Sequence, residues 1–194
     1  MLRDLMKEHA KIHTRNISLT TCPHTEDRVL VHGELKDQRY IPVFDVTGKT
    51  RAPGIVHHMT VTLLIDPNPL TIVQAEARMR TVPMEECQAT LDRVAMLVGV
   101  EIKSGFSSHV RKIMGGNRGC THLCGLVVAM GQEIVHGWLT QKRSKKAPIP
   151  VSLDKVKEKG FLIDSCRIWK KDGPKMREIL LAIEKTADTL AKSQ

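Results

Sequence analysis

Apolar and polar residues alternate along roughly the first eighty residues, with the period of two that is typical of strands. The interval from Asn16 to Tyr40 is predicted to form two strands separated by a turn at residues 22–27. The clearest strand runs from His57 to Asp66, and a turn with two prolines joins it to a further strand from Leu70 to Met79. We expect these last two strands to form an antiparallel hairpin.

The alternation places two adjacent histidines on opposite faces of the clearest strand. His57 opens its apolar face, whereas His58 lies with threonines on the other face. In the preceding strand, His32 and Glu34 are expected on a solvated face. His57 is therefore the candidate for a partly buried functional site, and the alternative is a core histidine bonded to backbone.

Beyond residue 82 the apolar spacing changes to three or four, which indicates helices. Pro83 suits the first turn of a helix that Gly99 ends, and Ser107 or Ser108 is expected to cap a short helix through Met114. The apolar stripe of the first of these helices consists of Cys87, Leu91, Val94 and Val98. The long helix that follows has one apolar face, formed by Leu123, Val127, Met130, Ile134 and Trp138.

Strands that precede helices favour an α+β fold over an alternating parallel sheet. We predict an N-terminal antiparallel sheet of three to five strands followed by packed helices, in a single domain spanning residues 1–194. An N-terminal arm at 1–15, a basic loop at 141–152 and a C-terminal helix at 172–192 complete this organisation.

The composition narrows the classes of partner. Aromatic residues make up 3% of the chain, so stacking platforms for single-stranded nucleic acid are nearly absent and nucleic acid is not an expected partner. The formal net charge of +9 arises mostly after residue 140, where a solvated loop and helix face are the commonest explanation.

Cysteine usage and hydropathy indicate the cellular compartment of the protein. Five cysteines at irregular spacing predict no disulfide framework, and the N-terminus lacks the apolar stretch of a signal peptide. We expect no apolar run to approach the length that spans a bilayer. We therefore expect a cytoplasmic protein without a transmembrane segment, and the sequence leaves a homo-oligomer open.

A glycine-rich turn leads directly into the long helix and gives the chain its strongest candidate site. The turn spans Gly115 to Gly119, and Cys120, Thr121 and His122 follow it. The free N–H groups and the dipole at a helix N-terminus favour an anion, and they favour the thiolate of Cys120. His122 can serve as an acid, a base or a metal ligand.

The same stretch has a purely structural interpretation. Its glycines can end one helix and turn the chain, Thr121 can cap the next helix, and Cys120 can be a small buried apolar residue. The coincidence of several reactive side chains keeps the functional interpretation open beside this one.

Gly119-Cys120-Thr121-His122-Leu123 resembles the GCTHL signature of a bacterial family of unknown function. Other stretches resemble further features of that family: His13-Thr14-Arg15, Gly54 to Met59, Pro83 to Cys87, Cys166 to Trp169, and Asp172-Gly173-Pro174. The chain departs from the family where Cys124-Gly125 replaces the usual Thr-Glu, so if a glutamate there acts as base or ligand in relatives, this protein lacks it. The resemblance supports the positions of a site and implies no settled activity.

Three kinds of function follow from these residues. The first is a lyase- or hydrolase-like enzyme with His57, Cys120 and His122 as catalytic residues. The residues expected to bind its small anionic organic substrate are Arg15, Arg118, Gly119 and Thr121. The second is a metal site in which Cys120, His122 and His57 hold zinc or iron, with or without catalysis. The third is a nonenzymatic scaffold, or a basic module that binds an acidic partner or nucleic acid.

Overall fold

The computed structural model describes residues 1–156 and 159–191. The chain divides into two compact units, Met1–Trp138 and a second unit that begins at Leu139. The first unit contains every strand of the described residues and every residue predicted to form the site.

Six strands lie in the first unit: β1 (His13–Pro23), β2 (Val29–Arg39), β3 (Val43–Phe44), β4 (Thr50–Arg51), β5 (Gly54–Pro67) and β6 (Leu70–Thr81). Four of them form an antiparallel sheet in the order β1-β2-β5-β6, whereas β3 and β4 pair with each other as a small hairpin between β2 and β5. The predicted N-terminal antiparallel sheet is confirmed. Because β1 begins at His13, the end of the predicted N-terminal arm belongs to the sheet.

The α-helices are α1 (Leu2–Leu5), α2 (Asp92–Ala95), α3 (Phe106–Met114), α4 (Thr121–Arg143), α5 (Lys159–Leu162) and α6 (Pro174–Ala191). Short 3₁₀ helices lie at Met6–Glu8, Glu85–Leu91, Gly116–Arg118, Leu153–Lys155 and Arg167–Trp169. The predicted α+β order, strands first and helices afterwards, is confirmed. α4 continues into the predicted basic loop, and residue 192 of the predicted C-terminal helix lies outside the described residues.

The helix predicted between Pro83 and Gly99 is only partly correct. Its first part is a seven-residue 3₁₀ helix, and α2, which follows, is four residues long. Val98 is 51% exposed, and Leu97 is buried in its place. A stripe drawn with the α-helical period is displaced because a 3₁₀ helix has three residues per turn.

The expected serine cap of α3 is wrong. The residue before the helix is Gly105, whose φ of 87° lies in the left-handed region that favours glycine. Ser107 and Ser108 both lie inside the helix.

α4 packs closely against one face of the sheet. A Cβ at Gly33 of β2 would lie 2.9 Å from Sδ of Met130, and Thr21 of β1 donates a 2.7 Å hydrogen bond to Glu133. The whole predicted apolar face of α4 is buried, namely Leu123, Val127, Met130, Ile134 and Trp138. Because Met130 lies over Gly33, the first turn of α4 lies over the C-terminal end of β2.

By length and composition alone, α4 is the one helix of the described chain that is long and apolar enough to cross a membrane. Its apolar stretch is thus longer than expected, because no apolar run of the sequence was predicted to approach the length that spans a bilayer. Half of that stretch is buried inside the fold, as in the core helix of a protein that does not span a membrane. The chain therefore has no clear transmembrane segment.

The second unit is mostly helical, with Leu162, Met176 and Ile183 buried. Asp164 has a positive φ of 58°, and its carboxylate accepts a 2.9 Å hydrogen bond from the backbone N–H of Lys171. This bond closes the turn that precedes α6.

Candidate functional site

Three cross-strand neighbours form a row of ionisable side chains on the face of the sheet that α4 covers. Arg15 of β1 pairs with Asp37 of β2, and Asp37 pairs with His57 of β5. Residues directly opposite each other on paired strands share a face. Asp37 also has the same phase as Val31 and Leu35, and its side chain is only 1% exposed.

A β-bulge lies beside this row. The pairing of β2 with β5 shifts between Asp37 and Gln38, so that Gln38 faces Ile55 and Val56 is the additional residue. Bulges bend a strand and redirect its side chains, and they are common beside active sites. The regular strand ladder therefore ends where His57 meets Asp37.

Asp37 is a carboxylate held on two sides. Nε of Arg15 donates to Oδ1 and Nη2 donates to Oδ2, both at 2.7 Å, and Nδ1 of His57 lies 3.1 Å from Oδ2. The hydrogen bonds from Arg15 hold the pKa of Asp37 below its ordinary value, although burial opposes this. The hydrogen bond to Asp37 likewise raises the pKa of Arg15.

His122, the second residue of α4, lies over the row. Its Nε2 is 3.8 Å from Oδ2 of Asp37, and its ring centroid is 3.8 Å from that of His57 with the ring planes at 31°. Burial lowers the pKa of His122, and the charges of His57 and Arg15 lower it further, against the opposing effect of Asp37. These effects favour the neutral imidazole.

Cys120 is positioned on the other side of the same imidazole. Its Sγ lies 3.8 Å from Nδ1 of His122, within reach of a weak hydrogen bond to sulfur. Cys124 is buried, and burial raises the pKa of its thiol, which disfavours the reactive thiolate there. We call Arg15, Asp37, His57, Cys120 and His122 the sheet-end cluster.

The model of a family described as "Protein of unknown function (DUF2889)" matches residues 13–136. This chain belongs to that family. The DUF2889 match contains the whole sheet-end cluster and ends two residues before the first compact unit does. The stretches after residue 160 that resemble a bacterial family lie outside the match, and the GCTHL signature itself stays a prediction. No curated protein and no solved structure matches the chain.

Within the residues matched by DUF2889, the structure brings four of the predicted site residues together: Arg15, His57, Cys120 and His122. The other three have different surroundings. Arg118 is exposed and donates a 3.2 Å hydrogen bond to the carbonyl of Arg111. A Cβ at Gly119 would lie 2.9 Å from the carbonyl oxygen of Met114, which explains the glycine by close backbone approach. Thr121 is the exposed first residue of α4 and therefore does not occupy the N-cap position.

Sequence analysis missed Asp37, although a signal was present. Val29, Val31, Gly33 and Leu35 alternate on the buried face, and Asp37 continues their phase. A charged residue at a strand position whose side chain faces the core needs a hydrogen-bonding or ionic partner. This requirement marks it as a candidate functional residue. The assignment of His58 to the opposite face agrees with the structure, where its Nε2 lies 2.6 Å from Oε1 of Glu34.

A separate hollow in this DUF2889 protein lies beside α3, lined among others by Gly105, Phe106 and His109. No residue of the sheet-end cluster lines it. The cluster is reached from solvent through its own side chains, since His122 is 26% exposed and Arg15 is 46% exposed.

Proposed function

We propose that the protein is a hydrolase- or lyase-type enzyme that acts on a small anionic organic compound at the sheet-end cluster. The observation that carries this proposal is a buried carboxylate, Asp37, with the imidazoles of His57 and His122 both within 4 Å of it. A buried carboxylate beside two closely packed imidazoles is uncommon in a protein core, and titratable groups with shifted pKa values concentrate at functional sites.

Each member of the cluster has a chemical role in this proposal. Asp37 orients His57 through Nδ1, as carboxylates orient catalytic or metal-binding histidines. Arg15 uses Nε and Nη2 on Asp37, and its half-exposed guanidinium directs Nη1 to the carboxylate or phosphate of a substrate. Negative charge on the substrate therefore matches the charge of the site.

Two imidazoles can complete a proton cycle. In a lyase reaction, one takes the proton from the carbon beside the substrate carboxylate and the other protonates the departing hydroxyl; the C–H and C–O bonds break, a C=C bond forms and water leaves. In hydrolysis, one imidazole takes a proton from water as the water oxygen bonds to the carbonyl carbon. The other imidazole gives a proton to the leaving group as the bond between the carbonyl carbon and that group breaks. Both schemes return the enzyme to its starting charge.

The hairpin of β3 and β4 supports an organic substrate. It departs from the sheet after Arg39 and returns at Gly54, two and three residues from Asp37 and His57. Its exposed apolar side chains are Ile41, Phe44 and Val46. Such side chains, close to the cluster along the chain, suit the carbon skeleton of an organic acid.

The test is turnover by the full chain of a panel of hydroxy acids, carboxylate esters and thioesters, with products followed by NMR. We expect His57→Ala and His122→Ala each to lower kcat/KM about a hundredfold or more. The matched control is His58→Ala, which removes the neighbouring histidine on the opposite face and should leave turnover unchanged. Activity that survives His122→Ala, or no turnover of any of the three classes by the unaltered chain, contradicts the proposal.

A second candidate reaction uses the thiol as a nucleophile. Cys120, His122 and Asp37 form a series with 3.8 Å from Sγ to Nδ1 and 3.8 Å from Nε2 to Oδ2, the order of groups in a thiol triad. Alkylation of Cys120 with iodoacetamide should then abolish turnover of thioesters. Full activity of a Cys120→Ser variant would assign the thiol a supporting role instead.

A nonenzymatic scaffold, or a basic module for an acidic partner, is the alternative function. The net charge of +9 supports it, and nucleic acid binding that persists at physiological salt would favour it. We also propose a cytoplasmic location, which is supported by five free cysteines.

A further inference from the structure

We infer that Asp37, His57 and His122 bind one divalent transition-metal ion, zinc or iron(II), as a two-histidine, one-carboxylate site. This metal site rests on the proposed function and modifies it, because imidazoles bound to the ion cannot also transfer protons, and a water on the ion would supply the base instead. It rests on the same residues, but it is tested by metal binding and not by turnover.

The distances between the ligand atoms suit a metal. One ligand atom from each of the three residues lies within 4.8 Å of the others. Nδ1 of His57 is 3.1 Å, and Nε2 of His122 is 3.8 Å, from Oδ2 of Asp37. Bonds of 2.0–2.2 Å to one ion place neighbouring ligand atoms about 3 to 3.5 Å apart, so a small rotation of the His122 ring completes the geometry.

The three ligands come from two adjacent strands and the first turn of a packed helix. Asp37 and His57 are paired across β2 and β5, and α4 brings His122 onto the same row. Ligands held on regular elements keep their geometry better than ligands on loops.

Neighbouring groups support two of the ligands. Arg15 binds Oδ1 of Asp37 through Nε, which orients the carboxylate with Oδ2 towards the imidazoles. Cys120 faces Nδ1 of His122 while Nε2 faces Asp37. Metal-binding histidines commonly use one ring nitrogen for the ion and the other for a hydrogen-bonding partner.

This arrangement assigns Cys120 a different role from the one expected from the sequence. The sequence suggested Cys120, His122 and His57 as the ligands, whereas the group of three within ligand distance contains Asp37 and not Cys120. Cys120 therefore positions His122, and the metal is held by nitrogen and oxygen alone.

The site would leave coordination positions for substrate. Three protein ligands are fewer than the four to six that zinc or iron(II) takes, so water or substrate oxygens complete the shell. The charge of one carboxylate against a divalent ion and Arg15 leaves the centre positive. We therefore expect the substrate to be an organic acid with a second oxygen beside its carboxylate, so that both oxygens reach the ion.

The test is calorimetric titration of the untagged, EDTA-treated full chain with Zn²⁺. We expect one ion per chain, with the affinity lowered about a hundredfold or more in His57→Ala and His122→Ala. His58→Ala is the matched control and should bind as the unaltered chain does, and circular dichroism should show that all variants are folded.

A second measurement identifies the ligand atoms without any substitution. Co²⁺ bound to the unaltered chain should lack the intense near-ultraviolet band of thiolate coordination, and Cys120→Ser should still bind one ion. A thiolate band, Zn²⁺ binding weaker than about 10 μM, or equal binding by His57→Ala each overturns the inference. Metal binding without turnover keeps the metal site and removes the enzyme, whereas EDTA-insensitive turnover by a metal-free chain does the reverse.

Discussion

The sheet carries an arginine–aspartate pair near each end, with the two guanidiniums almost equally exposed but the two carboxylates in different surroundings. At the cluster, Arg15 binds both oxygens of Asp37, whose side chain is 1% exposed. At the other end, Nε and Nη2 of Arg28 both donate to Oδ2 of Asp66, at 3.1 and 2.9 Å, and that carboxylate is 31% exposed.

The partners of the two carboxylates explain the difference. Asp66 also accepts a 3.2 Å hydrogen bond from the backbone N–H of Asn68, so it stabilises the turn between β5 and β6. Asp37 lies inside β2, two residues before its end, and its additional neighbours are two imidazoles. An ion pair on a strand does not by itself mark a site; burial together with further titratable neighbours does.

The largest difference between the ends should appear when each carboxylate is neutralised. Asp37→Asn should lower the free energy of unfolding by about 2 kcal/mol, because charged hydrogen bonds to a buried oxygen are lost while half-exposed Arg15 can turn to water. Asp66→Asn should lower the urea midpoint much less, since its ion pair is exposed and the asparagine carbonyl can still accept the hydrogen bond from Asn68. Equal destabilisation by the two substitutions would remove the contrast.

A smaller effect should come from the helix that connects the two ends. A Cβ at Gly137 would clash with side-chain atoms of Thr21, so Gly137→Ala should destabilise the protein by about 1–2 kcal/mol after its gain in helix propensity. Gly125→Ala is the matched control, because no atom lies within 4 Å of the added Cβ, and it should stabilise by up to about 1 kcal/mol. If thermal unfolding showed that both substitutions stabilise the protein, or that both destabilise it, α4 would not pack as described.

The smallest expected effect is a change in the pKa of Asp66, the carboxylate of the more exposed pair. The pKa of Asp66 is lowered first by the N–H of Asn68 and second by Arg28. Arg28→Ala should therefore raise this pKa only part of the way to its ordinary value, as measured by carbon-detected NMR titration. Because the folded pKa is below the unfolded one, the contribution of Asp66 to stability is present above about pH 4 and is lost as the pH falls through the folded pKa. A complete return to the ordinary value would assign the whole effect to Arg28.

The strands and the long helix could be predicted because their apolar periods survive in the fold. The period of two located β1, β2, β5 and β6, and the spacing of three or four located α4. The prediction failed between Pro83 and Gly99, where the chain adopts 3₁₀ geometry under contacts that a single-sequence period does not contain. The cap of α3 was missed because a left-handed glycine replaced a side-chain cap.

The site was predictable in part for the same reason. His57 is at the start of a buried strand face and His122 lies in the first turn of a helix. The spacing of the neighbouring apolar residues indicates both positions. Asp37 was missed because a carboxylate in a strand is usually read as solvent-facing, and Arg118 was included because of proximity in sequence alone. The bulge at Val56, which ends the regular pairing beside the cluster, has no marker in the sequence.

The members of the cluster are contributed by stretches that begin at Arg15 and end at His122, more than a hundred residues later. Loose or partly collapsed chains hold these groups far apart, so only the completed fold presents them together. Any molecule that binds the assembled groups consequently stabilises the folded protein against thermal unfolding. A rise in melting temperature therefore reports binding at the cluster before any reaction is known.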